Sequence, residues 1–268
     1  MSNIRIEEYE SSSDYFDFPY NPNTVEISTT KFVDQRKLPY SFTFMGFTSP
    51  IKSSISIGLN GHFDGTNKNS NYRSFVNKVN SPSFQKLYFQ NDRDKFYLCT
   101  GMSIQKVPSG NRPLITDYVA SYFSPFGMLF DATQQNGTKT STKSNGGDIV
   151  TPIEKITGTV VSGTPVVIRD INNNGFSFTP SASGTMTYSI VKVTSEDNTT
   201  YLTEYMHIDI AGTTIYGKNA SNSGDFMLTL EPGEQIVDLF TGTNGSTGDY
   251  YVTGITPTFY FRNGWASD

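Results

Sequence analysis

The order of apolar and polar positions predicts a chain built mostly of short strands. Pro19 and Pro22 frame a turn, after which Val25 and Ile27 begin an alternating segment. Over 38–47, Tyr40, Phe42 and Phe44 share one face of a half-buried strand. Ile51, Ile55, Ile57 and Leu59 give another, interrupted by Gly58. One helix is predicted over 69–80, where Tyr72, Phe75, Val76 and Val79 fall at i, i+3, i+4 and i+7 and Pro82 follows. An alternating pair of strands, 84–90 and 95–106, comes next, joined by Asn91-Asp92-Arg93-Asp94. A further strand, 112–124, spaces Leu114, Tyr118 and Tyr122. Residues 1–18 show no clear period before Phe16-Asp17-Phe18 and read as an arm ordered only against a neighbour.

After Phe130 the pattern changes. Thr133 to Asp148 contains no large apolar side chain, as expected of a linker or long loop. Beyond it, strands are predicted near 155–161, 164–170, 175–179, 185–193, 201–210, 213–217, 224–230, 234–240, 250–254 and 257–263. Turns carry Asn172-Asn173-Asn174-Gly175, Asp197-Asn198, Ala211-Gly212 and Glu231-Pro232-Gly233. This spacing is that of a β-sandwich. The expected organisation is an arm over 1–18, a first domain over 19–131, a linker over 132–152 and a sandwich over 153–268.

Composition agrees with a mainly β chain. Phe and Tyr number 20 and 16 against one Trp, and aromatic side chains fit a pleated surface. The net charge of −5 disfavours sequence-independent nucleic-acid binding, which needs a basic face. Residues 1–131 carry 13 Lys+Arg and 12 Asp+Glu, a balance of +1; residues 132–268 carry 7 and 13, a balance of −6. The single cysteine, Cys99, excludes an internal disulfide and reads as a buried thiol in Phe96-Tyr97-Leu98-Cys99. No segment approaches the ~20 apolar residues of a membrane helix, and Glu7, Glu8 and Glu10 are unlike a signal peptide. No membrane insertion is expected, and synthesis in a cytoplasm is.

Candidate chemistry is sparse. His62, in Gly61-His62-Phe63-Asp64-Gly65, reads as a turn residue, and His207 as a strand position. Neither belongs to a metal-binding pair. No activated Ser or Cys stands out, and Glu204, Asp209 and Asp225 read as solvated carboxylates rather than a glycosidase pair. Asn172-Asn173-Asn174-Gly175 after Asp170 reads as a hairpin turn before a calcium loop. No catalytic residue, metal or cofactor is assigned, and an enzyme is not expected.

The order of elements resembles the distal tail protein (Dit) family of long-tailed phages. The resemblance rests on the aromatic strands, the Gly-rich Gly58-Leu59-Asn60-Gly61-His62-Phe63-Asp64-Gly65, the short helix and hairpin, and the closing Tyr118–Phe130 run through Pro125. In the second half it rests on His207-Ile208-Asp209-Ile210, Thr214-Ile215-Tyr216-Gly217, Phe226–Ile236 around Pro232-Gly233, and Tyr260-Phe261-Arg262-Asn263-Gly264-Trp265. Ser124 stands where the family has an acidic residue, and Gln235 near its Asn. The resemblance spans about 16–265. It implies a mainly β fold: a ring-forming N-terminal domain with one short helix, then a galectin-like or carbohydrate-module-like β-sandwich.

The implied role is structural. Six copies would form a ring in the virion tail tip, joining the tail tube protein to the tip or baseplate hub protein. Such a ring closes through two unlike faces of each subunit. Tyr15, Phe16, Phe18 and Tyr20 of the arm region, with His62 and Phe63 of the 58–68 loop, are the expected subunit-interface residues. The alternatives are a carbohydrate-binding adhesin for a host-surface glycan, using Trp265, Tyr216 and Tyr250 with Tyr251, or a tail-tube subunit.

Overall fold

The computed structural model describes residues 4–9, 11–31, 53–81, 83–89, 93–108, 110, 114–170, 175–193, 200–210, 213–216, 228–237, 239 and 250–266. The first half forms β1 (Arg5–Glu8), β2 (Ser11–Asp17), β3 (Thr24–Lys31), β4 (Ser53–Asp64), α1 (Lys68–Val79), β5 (Gln85–Tyr88), β6 (Lys95–Val107), β7 (Ile115–Ser124) and β8 (Met128–Asp131). The second forms β9 (Gln135–Gly137), β10 (Thr151–Val160), β11 (Val166–Asp170), β12 (Gly175–Phe178), β13 (Gly184–Val193) and β14 (Thr200–Ile210). It continues with β15 (Thr213–Tyr216), β16 (Thr229–Leu230), β17 (Tyr250–Thr253), β18 (Thr258–Phe261) and β19 (Gly264–Ala266). The fold is mainly β, as the alternation predicts. The expected strands at 38–47 and the Asn172-Asn173-Asn174 turn lie outside the described residues.

The main path of the first sheet runs β2-β1-β5-β6-β7-β4-β3, with neighbours antiparallel. Strand alternation sets its two faces. Ile55, Ile57, Leu59 and Phe63 of β4 are buried, as are Thr116, Tyr118, Ala120, Tyr122 and Ser124 of β7, and the register pairs Ile57 with Tyr122 and Leu59 with Ala120. α1 covers this face with Phe75 and Val79. The helix stops at Asn80, whose N–H donates to the Val76 carbonyl at 3.0 Å.

The described residues 4–9 and 11–18 are not a free arm. β1 and β2 belong to the first sheet, and Ile4, Ile6, Phe16 and Phe18 lie in its core. Alternation over Ile4–Ile6 and Phe16–Phe18 is too short to register as a period, but both pairs are buried in one core, where Phe16 and Phe18 pack on Phe63 of β4 and Phe75 of α1. The Gly-rich 58–68 stretch differs from expectation as well. Residues 58–64 continue β4, so His62 is a strand residue, and the turn falls at Gly65, whose φ is +69°.

In the second half one sheet runs β15-β14-β13-β10-β18-β9, with β16 beside β10, and a smaller sheet runs β12-β11-β17. Val166, Ile168 and Phe176 of the smaller sheet share a core with Ile156, Met186, Tyr188, Phe259 and Phe261 of the larger. The Phe176 and Tyr188 rings stack at 5.4 Å. The strand expected at 234–240 is absent among the described residues, where Gln235 forms an isolated bridge to Ser144.

The 132–152 stretch, expected as a linker, is built into the fold. It supplies β9 to the second sheet, and buried Asn145 donates to the Ile149 and Leu230 carbonyls. Its side chains are small and polar because backbone and amide hydrogen bonds hold it, not apolar burial. The core of the second half also takes in Phe84, Tyr88, Phe96, Leu98, Phe126, Met128 and Phe130 from the first.

Candidate functional site

The two outermost described strands of the first sheet and the Tyr20–His62 pair frame the candidate site. Among the described residues β2 and β3 are the outermost strands of the main path. An outermost strand offers a row of backbone groups to a further strand. Val25 and Ile27 of β3 register with buried Leu59 and Ile57, so they point to the helix-covered face. α1 packs on β4, β6 and β7 and leaves both exposed. Tyr15 of β2 is 48% exposed, with the Arg5 guanidinium 3.9 Å from its ring centroid.

The structure separates the predicted interface residues. Tyr20 is 42% exposed, donates its hydroxyl hydrogen to Asp64 Oδ1, and stacks on His62 with ring centroids 6.2 Å apart. That hydrogen bond holds the Tyr20 phenol above its ordinary value. Tyr15, Tyr20 and His62 therefore remain surface or half-surface groups. Phe16, Phe18 and Phe63 do not. They are buried together with Phe75 and Tyr118 in one aromatic cluster, with Phe63–Tyr118 at 4.9 Å and Phe18–Phe75 at 4.9 Å. Their roles are corrected to packing, because alternation sends these rings inward while their neighbours face out.

Of the expected sugar-binding aromatics, Trp265 is tied into the fold. Its indole N–H donates to Asp131 Oδ1 at 2.6 Å, and Lys95 Nζ lies 3.8 Å from its ring centroid. A sugar stacking on that face would have to displace the ammonium. Tyr216 and Tyr250 lie in β15 and β17, and their side chains, like those of His207, Glu204 and Asp209, fall outside the described residues, as does Asp225. Tyr251, 62% exposed, registers with Arg169 of β11.

A second constellation was not visible in the sequence. Glu154 of β10 is buried at the junction of the sheets. Its Oε2 accepts hydrogen bonds from the Tyr9 hydroxyl at 2.9 Å and Gln134 Nε2 at 2.7 Å. Arg262 Nε lies 3.3 Å from Glu154 Oε1, close enough to pair but without hydrogen-bond alignment. Arg262 Nη1 donates to the carbonyls of Asp131, at 3.0 Å, and Ala132. Burial pushes the Glu154 carboxyl up, with Arg262, Gln134, Tyr9 and Lys86 opposing. Nearby, Lys86 pairs with Glu7 at 2.9 Å. Only the Ile-Glu-Lys-Ile spacing of 153–156 hinted at a carboxylate facing inward, and such spacing is common on solvated strands.

Burial pushes the Tyr88 phenol up to about 12 and raises the Cys99 thiol. Among the described residues no group of three or more His, Cys, Asp or Glu could hold a metal ion, and no helix is long and apolar enough to cross a membrane.

No protein-family model matches the chain, and no curated protein matches it. Solved structures do. The chain is similar to the Dit protein of phage SPP1, described as a paradigm of the hub adsorption apparatus in phages infecting Gram-positive hosts. That match has 12% identity and a TM-score of 0.37, covering 97% of this chain and 98% of that one. It is similar also to a chain of the phage P2 baseplate in its activated conformation with Ca, at 13% identity and a TM-score of 0.39, covering 97% and 96%. The same baseplate with Sr gives 13% identity and a TM-score of 0.37, with the same coverage.

Proposed function

We propose that this chain is a structural protein of a phage tail tip, a distal tail hub that assembles as a ring of six between the tail tube protein and the tip or baseplate hub protein. The observation that carries the proposal is the pair of unlike strands, β2 and β3, outermost among the described residues at opposite ends of one sheet path. A ring needs two different, complementary faces on each subunit, and strand addition at an open edge is a common way to supply them. Support also comes from the order of elements. The helix, the hairpin and the alternating strand running into Pro125 occur where the sequence resemblance requires them. The proposed place of action is the virion, after synthesis in the host cytoplasm, and no catalytic role is proposed.

The test is the mass of the purified protein in solution over a range of concentrations, with negative-stain images of the same sample. A closed ring of six with a central opening is expected. A strict monomer at every concentration, with or without the tail tube protein, would overturn the ring. A second reading, binding of a host-surface glycan by the smaller sheet, is favoured by exposed Tyr251 beside Arg169. It requires that Tyr251→Ala abolish oligosaccharide binding seen by calorimetry.

A further inference from the structure

One apolar core holds the two halves together. Tyr88, Phe96 and Phe130 of the first half are buried in it with Ile153, Phe259 and Phe261 of the second. Apolar burial scales with area and has no direction. Cores held by apolar packing alone lose uniqueness before they lose stability. Set into this core are charged residues of both signs: Glu7 of β1, Lys86 of β5, Glu154 of β10 and Arg262 just after β18, all buried.

The fold departs from regularity where it turns Glu154 inward. In the β10–β18 ladder Ile153 opposes Phe261 and Lys155 opposes Tyr260, so β10 carries one extra residue at Glu154. Plain alternation would send Ile153 and Glu154 to opposite faces. The bulge re-aims the strand, and both are buried. Thr151 Oγ1 donates to the Arg262 carbonyl at 2.7 Å and fixes the Arg262 backbone beside β10. On the side of the first half, Tyr9 N donates to the Phe84 carbonyl at 2.9 Å, so the hydroxyl that reaches Glu154 Oε2 is anchored at its own backbone. Lys86 Nζ, paired with Glu7, lies 5.9 Å from the ring centroids of Tyr9 and Phe96, and the Arg262 guanidinium lies 5.3 Å from that of Phe96. Hydrogen bonds, unlike apolar contacts, hold only within a narrow range of distance and angle.

We propose that Tyr9, Glu154 and Arg262 form an orientation key: the apolar core holds the halves together, and the key admits one placement of the second sheet on the first. Any other placement parts the Tyr9 hydroxyl from Glu154 and leaves the carboxylate buried without it. A buried charge deprived of a partner is strongly destabilising. Replacing a whole buried polar set by apolar side chains of similar volume, in contrast, is often neutral or stabilising. The key therefore contributes uniqueness rather than strength, and removing all of it costs less than removing one charge. The inference stands whether or not the chain is a tail hub.

Spin labels on Ser56→Cys of β4 and Thr159→Cys of β10, both exposed positions, read the placement in the full chain by double electron–electron resonance, and native Cys99 is buried. With the key intact, one narrow distance is expected. Arg262→Met alone leaves Glu154 buried without the guanidinium and should raise the unfolding equilibrium constant, measured in urea, by about a hundredfold or more. Combining Tyr9→Phe, Glu154→Leu and Arg262→Met should return the urea midpoint to the wild-type value or above, while the distance distribution broadens or splits. A triple variant with the wild-type narrow distance would overturn the key, because the apolar core would then set the placement by itself. A triple variant no more stable than Arg262→Met would overturn it too, because the cluster would then be a source of strength. Where Arg262→Met does not fold, the triple variant is compared with the wild type, and a lower midpoint or an unchanged distance overturns the key.

Discussion

Gly101 of β6 lies against the carbonyl of Val79, the last residue of α1, so closely that a Cβ there would sit 2.0 Å from the carbonyl oxygen. The helix end rests on bare strand backbone at this point. The ladder from β6 to β7 shifts register between Gly101 and Ser103, which puts Met102 out into solvent. Gly101→Ala should therefore push α1 off the sheet and cost about 1–3 kcal/mol. Urea unfolding monitored by circular dichroism measures it. A wild-type midpoint would mean that the helix end shifts freely.

Phe18 is buried among Phe16, Phe63, Phe75 and Tyr118. Phe18→Ala should cost about 3–5 kcal/mol in global stability, the range for truncating a buried ring. Deleting residues 1–18 should destabilise the first sheet itself rather than only its assembly. Unchanged thermal unfolding of the deletion variant would return these residues to the status of an arm.

Asp17 accepts hydrogen bonds from Arg5 Nε at 2.6 Å and Nη2 at 2.7 Å, and Arg93 Nη2 reaches it at 3.1 Å. The Arg5 bond, against the cost of burial, holds the Asp17 carboxyl below its ordinary value of 3.8. A lowered folded value means that the stabilisation is present above the ordinary value and is lost as pH falls through the lowered one. Asp17→Asn should thus cost no more than about 1 kcal/mol at neutral pH, because solvent screens a carboxylate this exposed. The difference from wild type should vanish in strong acid, read from denaturation midpoints across the acid range. A pH-independent difference would exclude the ion pair as its source.

Cys99 is fully buried and its thiol is raised by burial. A thiolate-selective reagent should find no reactive thiol in the native protein and one after denaturation. Rapid native labelling would show that β6 opens.

Much of the fold was legible because its cause is local. Phe75 and Val79 recur at helical spacing, and Tyr118, Ala120 and Tyr122 alternate, so α1 and β7 appear near their predicted bounds. Burial of Cys99 followed from its apolar neighbours. Which of the expected interface aromatics are exposed was not legible. Tyr15 and Phe16 are adjacent and equally aromatic, yet only Tyr15 faces out, and no local pattern decided which face of β2 met the helix.

By itself the sequence determined the mainly β class, the single predicted helix, the strands flanking it and the poverty of catalytic groups, because periodicity and residue type act over a few neighbours. Tertiary structure alone decided where distant segments meet. It placed β1 and β2 in the first sheet, turned 132–152 from a linker into part of the second, and brought Tyr9, Asp131, Glu154, Arg262 and Trp265 to one junction. A carboxylate in a strand looks the same along the chain whether it meets water or a buried guanidinium, and only the packing of the two halves removes the water.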